Sequence, residues 1–165
     1  MTLAFHDVPF DQHPALYREL GELGYDDFWT YEVGGIDAFT PLALAAVAVP
    51  GARLGTAIVP AFTRGPALVA MQAATIANLA PGALSLGIGT SSNVIVRAWN
   101  GIPFERPLAR VRDLVRFLRA ALAGEKVTAD YETFSVEGFR LENPPAEPPP
   151  VLVGRFVSQS RPELQ

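Results

Sequence analysis

Cysteine is absent from the 165 residues of this sequence, and histidine occurs only at His6 and His13. Without cysteine, the chain forms no disulfide, thiolate zinc site, iron–sulfur cluster or cysteine nucleophile. Two imidazoles are also too few for most histidine-based metal sites, so we expect no bound metal. Carboxylates, hydroxyls and backbone amides remain as candidate functional groups.

An excess of positive charge is absent as well. The sequence has 13 Lys and Arg residues against 17 Asp and Glu residues, which gives a net charge of −4. This balance argues against a basic groove, so we expect no nucleic-acid partner. Hydrophobic residues make up 49% of the chain and charged residues 18%, which argues against disorder, and the length fits one domain.

Long apolar runs are missing too. The most apolar stretch, PLALAAVAVP at residues 41–50, is about half as long as the roughly 20 residues that a membrane-spanning helix needs. The N-terminal stretch MTLAFHDVPFD lacks the basic and apolar regions of a secretory signal. We therefore expect a cytoplasmic protein with no membrane partner.

Short apolar segments alternate with helical patterns along the chain. The predicted strands cover residues 2–8, 27–33, 53–59, 83–89 and 151–154, and the predicted helices cover 39–49 and 106–122 and begin at Pro14 and Pro66. This alternation is typical of repeated βα units with a parallel sheet. Leu68, Met71, Thr75 and Leu79 share one face of the helix at Pro66. A small hairpin is predicted to turn at Glu137-Gly138.

Polar residues at the strand ends are the first candidates for function, because ligands of parallel α/β folds bind beyond those ends. Glu32 ends the second predicted strand, where a carboxylate can contact a ligand or act as a base. The alternative for Glu32 is a solvated loop acid or a helix cap. His6, at the end of the first predicted strand, is either a pocket residue or a hydrogen-bonded core histidine.

The fourth predicted strand ends in a glycine turn. Gly87 and Gly89 precede Thr90, Ser91 and Ser92, a set of small residues that can hold a phosphate through backbone amides. Ser92 stands where the dinucleotide fingerprint has its third glycine, so that motif is not met. A turn made only for close packing is the alternative.

Taken together, several stretches resemble the luciferase-like flavin and deazaflavin oxidoreductases. They are LGYDDFWTYE at 23–32, RLGTAIVPAFTRGPALVAMQAATIANLAPG at 53–82, and the run from Leu84 to Gly124. Within that run, GTSSNVIVRAWNGIPFERP is most similar to the branch that uses the deazaflavin coenzyme F420. The resemblance extends from about residue 3 to residue 154.

The resemblance implies a (β/α)8 barrel with the cofactor ring at the C-terminal mouth. The expected reaction is hydride transfer between F420 and a small organic substrate, with an FMN-dependent monooxygenase as the alternative. By position, Glu32 matches the family's acidic residue, and Val33 stands where a histidine often follows it. Ala57-Ile58 matches a non-proline cis peptide behind the ring. The implied cofactor-binding residues are Ala57, Ile58, Gly89, Thr90, Ser91 and Ser92, with His6 added from its strand position.

The length conflicts with a complete barrel, which typically needs about 250 residues. The predicted fold is therefore an incomplete (β/α)8 barrel of about five βα units, truncated after residue 154, with an atypical tail at 155–165. Unpaired strand edges and uncovered apolar faces predict a homo-oligomer. A third possible function belongs to a different class from the two enzymes: a non-catalytic fragment that associates with itself.

Overall fold

Parallel strands form the centre of the fold, which was obtained as a computed structural model describing residues 1–3, 5 and 7–154. The strands are β1 (Asp27–Thr30), β2 (Arg53–Thr56), β3 (Val59–Pro60), β4 (Leu84–Gly89), β5 (Val127–Asp130), β6 (Ser135–Phe139) and β7 (Val151–Val153). The helices are α1 (His13–Glu22), α2 (Phe39–Ala48), α3 (Pro66–Leu79) and α4 (Pro107–Leu122), with a 3-10 turn at Phe10–Gln12 and a π-helix at Val94–Trp99.

The parallel strands follow one another in chain order across the sheet. Thr2 pairs with Trp29 of β1, β1 pairs with β2, and β4 pairs with β2 and β3 on one side and β7 on the other. Helices α2, α3 and α4 connect or flank these strands and bury their apolar residues against them. The chain forms an incomplete (β/α)8 barrel, as the sequence predicted.

The backbone pairing with β4 is interrupted between β2 and β3, and a side chain makes hydrogen bonds in its place. The peptide bond between Ala57 and Ile58 is cis, which confirms the expectation for these two residues. Next to the break, the Thr56 hydroxyl donates to the Gly87 carbonyl at 2.9 Å and accepts from the Gly87 amide at 2.8 Å. The side chain of Thr56 therefore replaces the backbone pairing that β2 loses at this point.

Helix α3 contacts the sheet with its small residues. Its buried residues are Val69, Ala70, Ala73, Ala74, Ile76 and Ala77. The face carrying Leu68, Met71 and Leu79 is outside, with each of these side chains about 45% exposed. Alanines let a helix axis approach the sheet closely, so the smaller side chains take the inner face.

Helix α4 is tied to the β5–β6 hairpin by a buried carboxylate. Asp113, only 1% exposed, accepts hydrogen bonds from the amide and hydroxyl of Thr133, both at 3.0 Å, and from Arg112. Burial works to raise the pKa of Asp113, but the hydrogen bonds from Thr133 and Arg112 outweigh it and lower that pKa. The hairpin is therefore positioned by a charged group inside the protein.

Two local predictions were wrong. Within the described part of residues 2–8, only Thr2 pairs in a strand. The hairpin reverses between β5 and β6, where the Tyr131 amide donates to the Phe134 carbonyl, rather than at Glu137-Gly138. Gly138 instead lies inside β6 at positive φ, and the β5–β6 register shifts between Val127 and Ala129.

The predicted tail at residues 155–165 and His6 lie outside the described residues. Among the residues that are described, no helix is long and apolar enough to cross a bilayer.

Candidate functional site at the strand ends

A cavity of about 370 Å³ opens at the C-terminal ends of β1, β3, β4 and β7. We call it the strand-end cavity. It is lined by Tyr31, Glu32, Val33, Ala57, Ile58, Gly89, Thr90, Ser91, Ser92, Ile95 and Gly154. All predicted site residues within the described chain therefore meet in one place, which is where parallel α/β folds bind ligands. Its volume falls at the lower end of the roughly 300–1,000 Å³ of small-molecule pockets.

The floor of the strand-end cavity is apolar and lies on two glycines. A methyl group at Gly89 would come within 2.9 Å of the Ile58 side chain, and one at Gly154 within 2.6 Å. The Ile58 side chain thus occupies space that any larger residue at either position would take. Ile58 therefore lies against the paired ends of β4 and β7 and contributes to the apolar floor of the cavity.

The rim of the cavity carries the three hydroxyls that follow β4. Ser91 has a φ of 62°, in the left-handed region, which turns the chain sharply away from the strand. The Ser92 hydroxyl accepts the Ile95 amide at 3.3 Å, so it is engaged at the start of the π-helix. Thr90 donates to the Ser91 carbonyl at 3.2 Å. These hydroxyls first shape the turn and then border the cavity.

Glu32 is held by two donors from different elements. Its Oε1 accepts the Ala38 amide at 3.0 Å, and its Oε2 pairs with the Arg64 guanidinium. The Glu32 and Arg64 side chains are only 12% and 14% exposed, so their ion pair is largely removed from water. This excludes the solvated loop acid, one of the two alternatives for Glu32. The other alternative, a helix cap, fits the hydrogen bond that Glu32 accepts from Ala38, the N-cap residue of α2.

Asp37 completes the charged group around Arg64. Its carboxylate lies 4.0 Å from Arg64 and accepts the amides of Phe39 and Thr40 in the first turn of α2, one residue before the N-cap Ala38. Burial works to raise the pKa of Asp37, but the hydrogen bonds from Thr40 and Phe39 and the charge of Arg64 lower it overall. Arg64 also lies over the Phe39 ring at 5.5 Å.

A second cavity of about 380 Å³ adjoins the first. We call it the polar cavity. Its lining consists of Glu32, Val33, Gly35, Ile36, Asp37, Pro60, Thr63, Arg64, Ile95 and Asn100. It shares Glu32, Val33 and Ile95 with the strand-end cavity, so the two cavities lie on either side of a common wall.

The sequence reasoning missed Arg64 and Thr63. Both follow the end of β3, the strand-end position at which Glu32 was found after β1. Neighbouring parallel strands end at the same edge of a sheet, so an acid after one strand can meet an arginine after the next. The positions of Glu32 and Arg64 relative to their strands are the signal that could have suggested this ion pair. Gly154 was also missed, since its role depends on the side chain of Ile58.

Comparison with known proteins identifies the group to which this arrangement belongs. Residues 3–155 match the family described as luciferase-like monooxygenase. A putative coenzyme F420-dependent oxidoreductase of Mycobacterium tuberculosis is 36% identical over 117 residues, covering 71% of this chain and 34% of that protein. The chain spans 34% to 48% of the length of the first curated relatives that it matches.

Solved structures have the same fold. The coenzyme F420-dependent tetrahydromethanopterin reductase of Methanopyrus kandleri matches with a TM-score of 0.79 at 19% identity, covering 94% of this chain and 48% of that one. A type II Baeyer–Villiger monooxygenase of Pseudomonas putida, solved in complex with FMN, matches with a TM-score of 0.73 at 16% identity, covering 87% and 45%.

Proposed function

The chain belongs to the luciferase-like monooxygenase family, and from this premise we propose that it is built to bind coenzyme F420. In this proposal, the deazaflavin ring lies in the strand-end cavity and, when bound, supplies hydride chemistry toward a small organic substrate. The observation that carries the proposal is the cavity itself, in which Glu32, the Ala57-Ile58 bond and the glycine turn meet.

The residues present fit a planar ring. Ile58 packs against Gly89 and Gly154 on the apolar floor of the cavity, and a larger residue at either glycine would collide with it. Ala57, Ile58 and Gly89 would contact the ring, and Thr90, Ser91 and Ser92 would border its polar edge. His6 remains a proposed contact from its sequence position alone. The relative from Mycobacterium tuberculosis supports F420 as the cofactor.

Glu32 is the proposed catalytic residue. An ionised carboxylate only accepts hydrogen bonds, and each Glu32 oxygen has a lone pair beyond the one used by Ala38 or Arg64. If an oxidised cofactor in the cavity took hydride from the carbon of a substrate alcohol, the hydroxyl on that carbon would lose its proton as the carbonyl forms, and Glu32 would accept that proton. We expect Glu32→Gln, tested in a preparation that turns over substrate, to lower turnover more than cofactor affinity.

FMN is the alternative cofactor. The Pseudomonas putida structure binds FMN on the same fold, which favours keeping this alternative. A spectroscopic titration with F420 and, separately, with FMN distinguishes the two. Saturable micromolar binding of F420 without a response to FMN supports the first proposal, and the reverse result supports an FMN-dependent monooxygenase. Binding of neither leaves the non-catalytic fragment as the remaining candidate.

We also propose that copies of the chain associate. The outer face of α3 presents Leu68, Met71 and Leu79, and Val47 on the contacting helix α2 is 68% exposed. Large exposed apolar side chains on two contacting helices favour a protein contact at this side of the molecule. Sedimentation velocity measures the association directly, and Met71→Lys is expected to shift it toward monomer. The division at residue 154 and the cytoplasmic location stay proposals from the sequence.

A further inference from the structure

A partly buried guanidinium joins the β5–β6 hairpin to the segment that leaves β3. Arg110, in the first turn of α4, donates from Nε to the Ala61 carbonyl at 3.0 Å and from Nη1 to the Thr133 carbonyl at 3.4 Å. Ala61 directly follows β3, and Thr133 lies between β5 and β6. One side chain of α4 therefore fixes the backbone of two other parts of the chain relative to each other.

Two aromatic rings hold the guanidinium of Arg110 in this position. Its Cζ atom lies 4.7 Å from the centre of the Phe134 ring and 5.8 Å from that of the Phe62 ring, both within the range of cation–π attraction. Phe62 in turn packs against Phe104, with 5.2 Å between the ring centres. Burial lowers the pKa of Arg110, and the charge of Asp113 works against that effect. The guanidinium is thus partly withdrawn from water and oriented by two carbonyls and two rings.

The Ala61 carbonyl begins the segment that carries Arg64. The Ala61 amide donates to the Gly89 carbonyl at 2.9 Å, so residue 61 is held through both of its polar backbone groups. Arg64 follows three residues later and forms the largely buried ion pair with Glu32. A displacement of Ala61 would therefore move the guanidinium that binds Glu32.

Resting on the proposed function, we propose that Arg110 is a positioning residue for Glu32. Arg110 acts through residues 61–64: by holding the Ala61 carbonyl, it sets where the Arg64 guanidinium meets the Glu32 carboxylate. Lysine would be a poor replacement for Arg110, because an ammonium group lacks the planar fork of donors that reaches two carbonyls at once.

A double-mutant cycle measures the Glu32–Arg64 interaction without any cofactor. Its coupling energy is the difference between the stability cost of Arg64→Met in the unsubstituted chain and in Glu32→Gln, each obtained by urea denaturation. We expect Arg110→Met to lower this coupling energy by at least half, because methionine keeps an unbranched side chain between the two rings but donates no hydrogen bond. Arg119→Met, at an exposed position of the same helix, is the matched control and should leave the coupling energy unchanged.

The coupling energy distinguishes positioning from a merely structural role. If Arg110 only stabilises the fold, Arg110→Met lowers the stability of all four members of the cycle equally and leaves their coupling energy unchanged. A fall of less than half, or an equal fall in Arg119→Met, overturns the inference. Where Arg110→Met does not fold, Arg110→Lys gives the same test, with a fall of at least a third expected and a smaller one contradicting the proposal.

An F420 titration of the unsubstituted chain reports on the proposed function by itself. A lowered coupling energy without F420 binding supports the connection from Arg110 to the ion pair and overturns the cofactor proposal. Saturable F420 binding with an unchanged coupling energy supports the cofactor proposal and overturns the role of Arg110.

Discussion

Gly87→Ala is expected to destabilise the chain by about 3 kcal/mol or more, at the upper end of the effects of overpacking. A methyl group at this position would lie 2.0 Å from the carbonyl oxygen of Thr56. That atom belongs to the backbone of β2, so no side-chain rotation relieves the contact. Moving β2 would also break the two hydrogen bonds between the Thr56 hydroxyl and Gly87. For a domain with a total stability of about 5–15 kcal/mol, this loss is large.

Urea denaturation followed by circular dichroism measures the effect. Gly65→Ala is the matched control, because a methyl group there meets no atom within 4 Å and the φ of −62° suits any residue. The control should lose about 1 kcal/mol or less, because alanine is a poorer N-cap than glycine but leaves the unfolded chain with less conformational freedom to lose. Equal midpoints for the two variants would show that β2 and β4 are not joined as described.

The second large effect is expected for the pair between Glu32 and Arg64. Arg64→Met leaves a carboxylate that is 12% exposed without its cation, at a cost of about 2–4 kcal/mol, at or below that of breaking a fully buried pair. Glu32→Gln costs less, since the amide keeps a hydrogen bond with Arg64 and Asp37 remains nearby. Combining Arg64→Met with Glu32→Gln gives the coupling energy between the two side chains, which is expected to be about 1–3 kcal/mol.

A solvent-exposed ion pair serves as the comparison for the substitutions of Glu32 and Arg64. Arg53 pairs with Asp26 and Asp27, and its side chain is 62% exposed. Arg53→Met should therefore lose much less stability than Arg64→Met, because water solvates the remaining carboxylates. If the two substitutions have the same effect on the unfolding midpoint, Glu32 and Arg64 are not a buried pair, and Glu32 loses its fixed position at the cavity wall.

The sequence predicted the buried face of α4 better than that of α3. The spacing of three and four residues in α4 predicts an apolar stripe of Leu108, Val111, Val115, Leu118 and Leu122. All of these are buried except Leu108, which is 80% exposed in the first turn of the helix. Helix α3 is apolar on nearly all sides, and periodicity cannot rank one apolar face above another. The decisive factor there was side-chain size, because the alanine face permits close contact with the sheet.

The pairing of Glu32 with Arg64 was missed for a different reason. The two residues are 32 positions apart and meet only because β1 and β2–β3 are neighbours that end at one edge. The hairpin turn was misplaced because Glu137-Gly138 has the composition of a turn, whereas Gly138 supplies a positive φ within β6. In each case a tertiary contact decided between local conformations that the sequence alone permits.

Titration of the chain with F420, followed by the fluorescence of the deazaflavin, tests the central claim most directly. The account predicts saturable micromolar binding, weakened at least tenfold by Gly89→Val and unchanged by Gly65→Ala. Ile95→Trp, on the half-exposed rim, should also block the strand-end cavity and serves where Gly89→Val does not fold. Absence of saturable binding, or binding that both blocking variants leave intact, would contradict the claim that this cavity receives the ring.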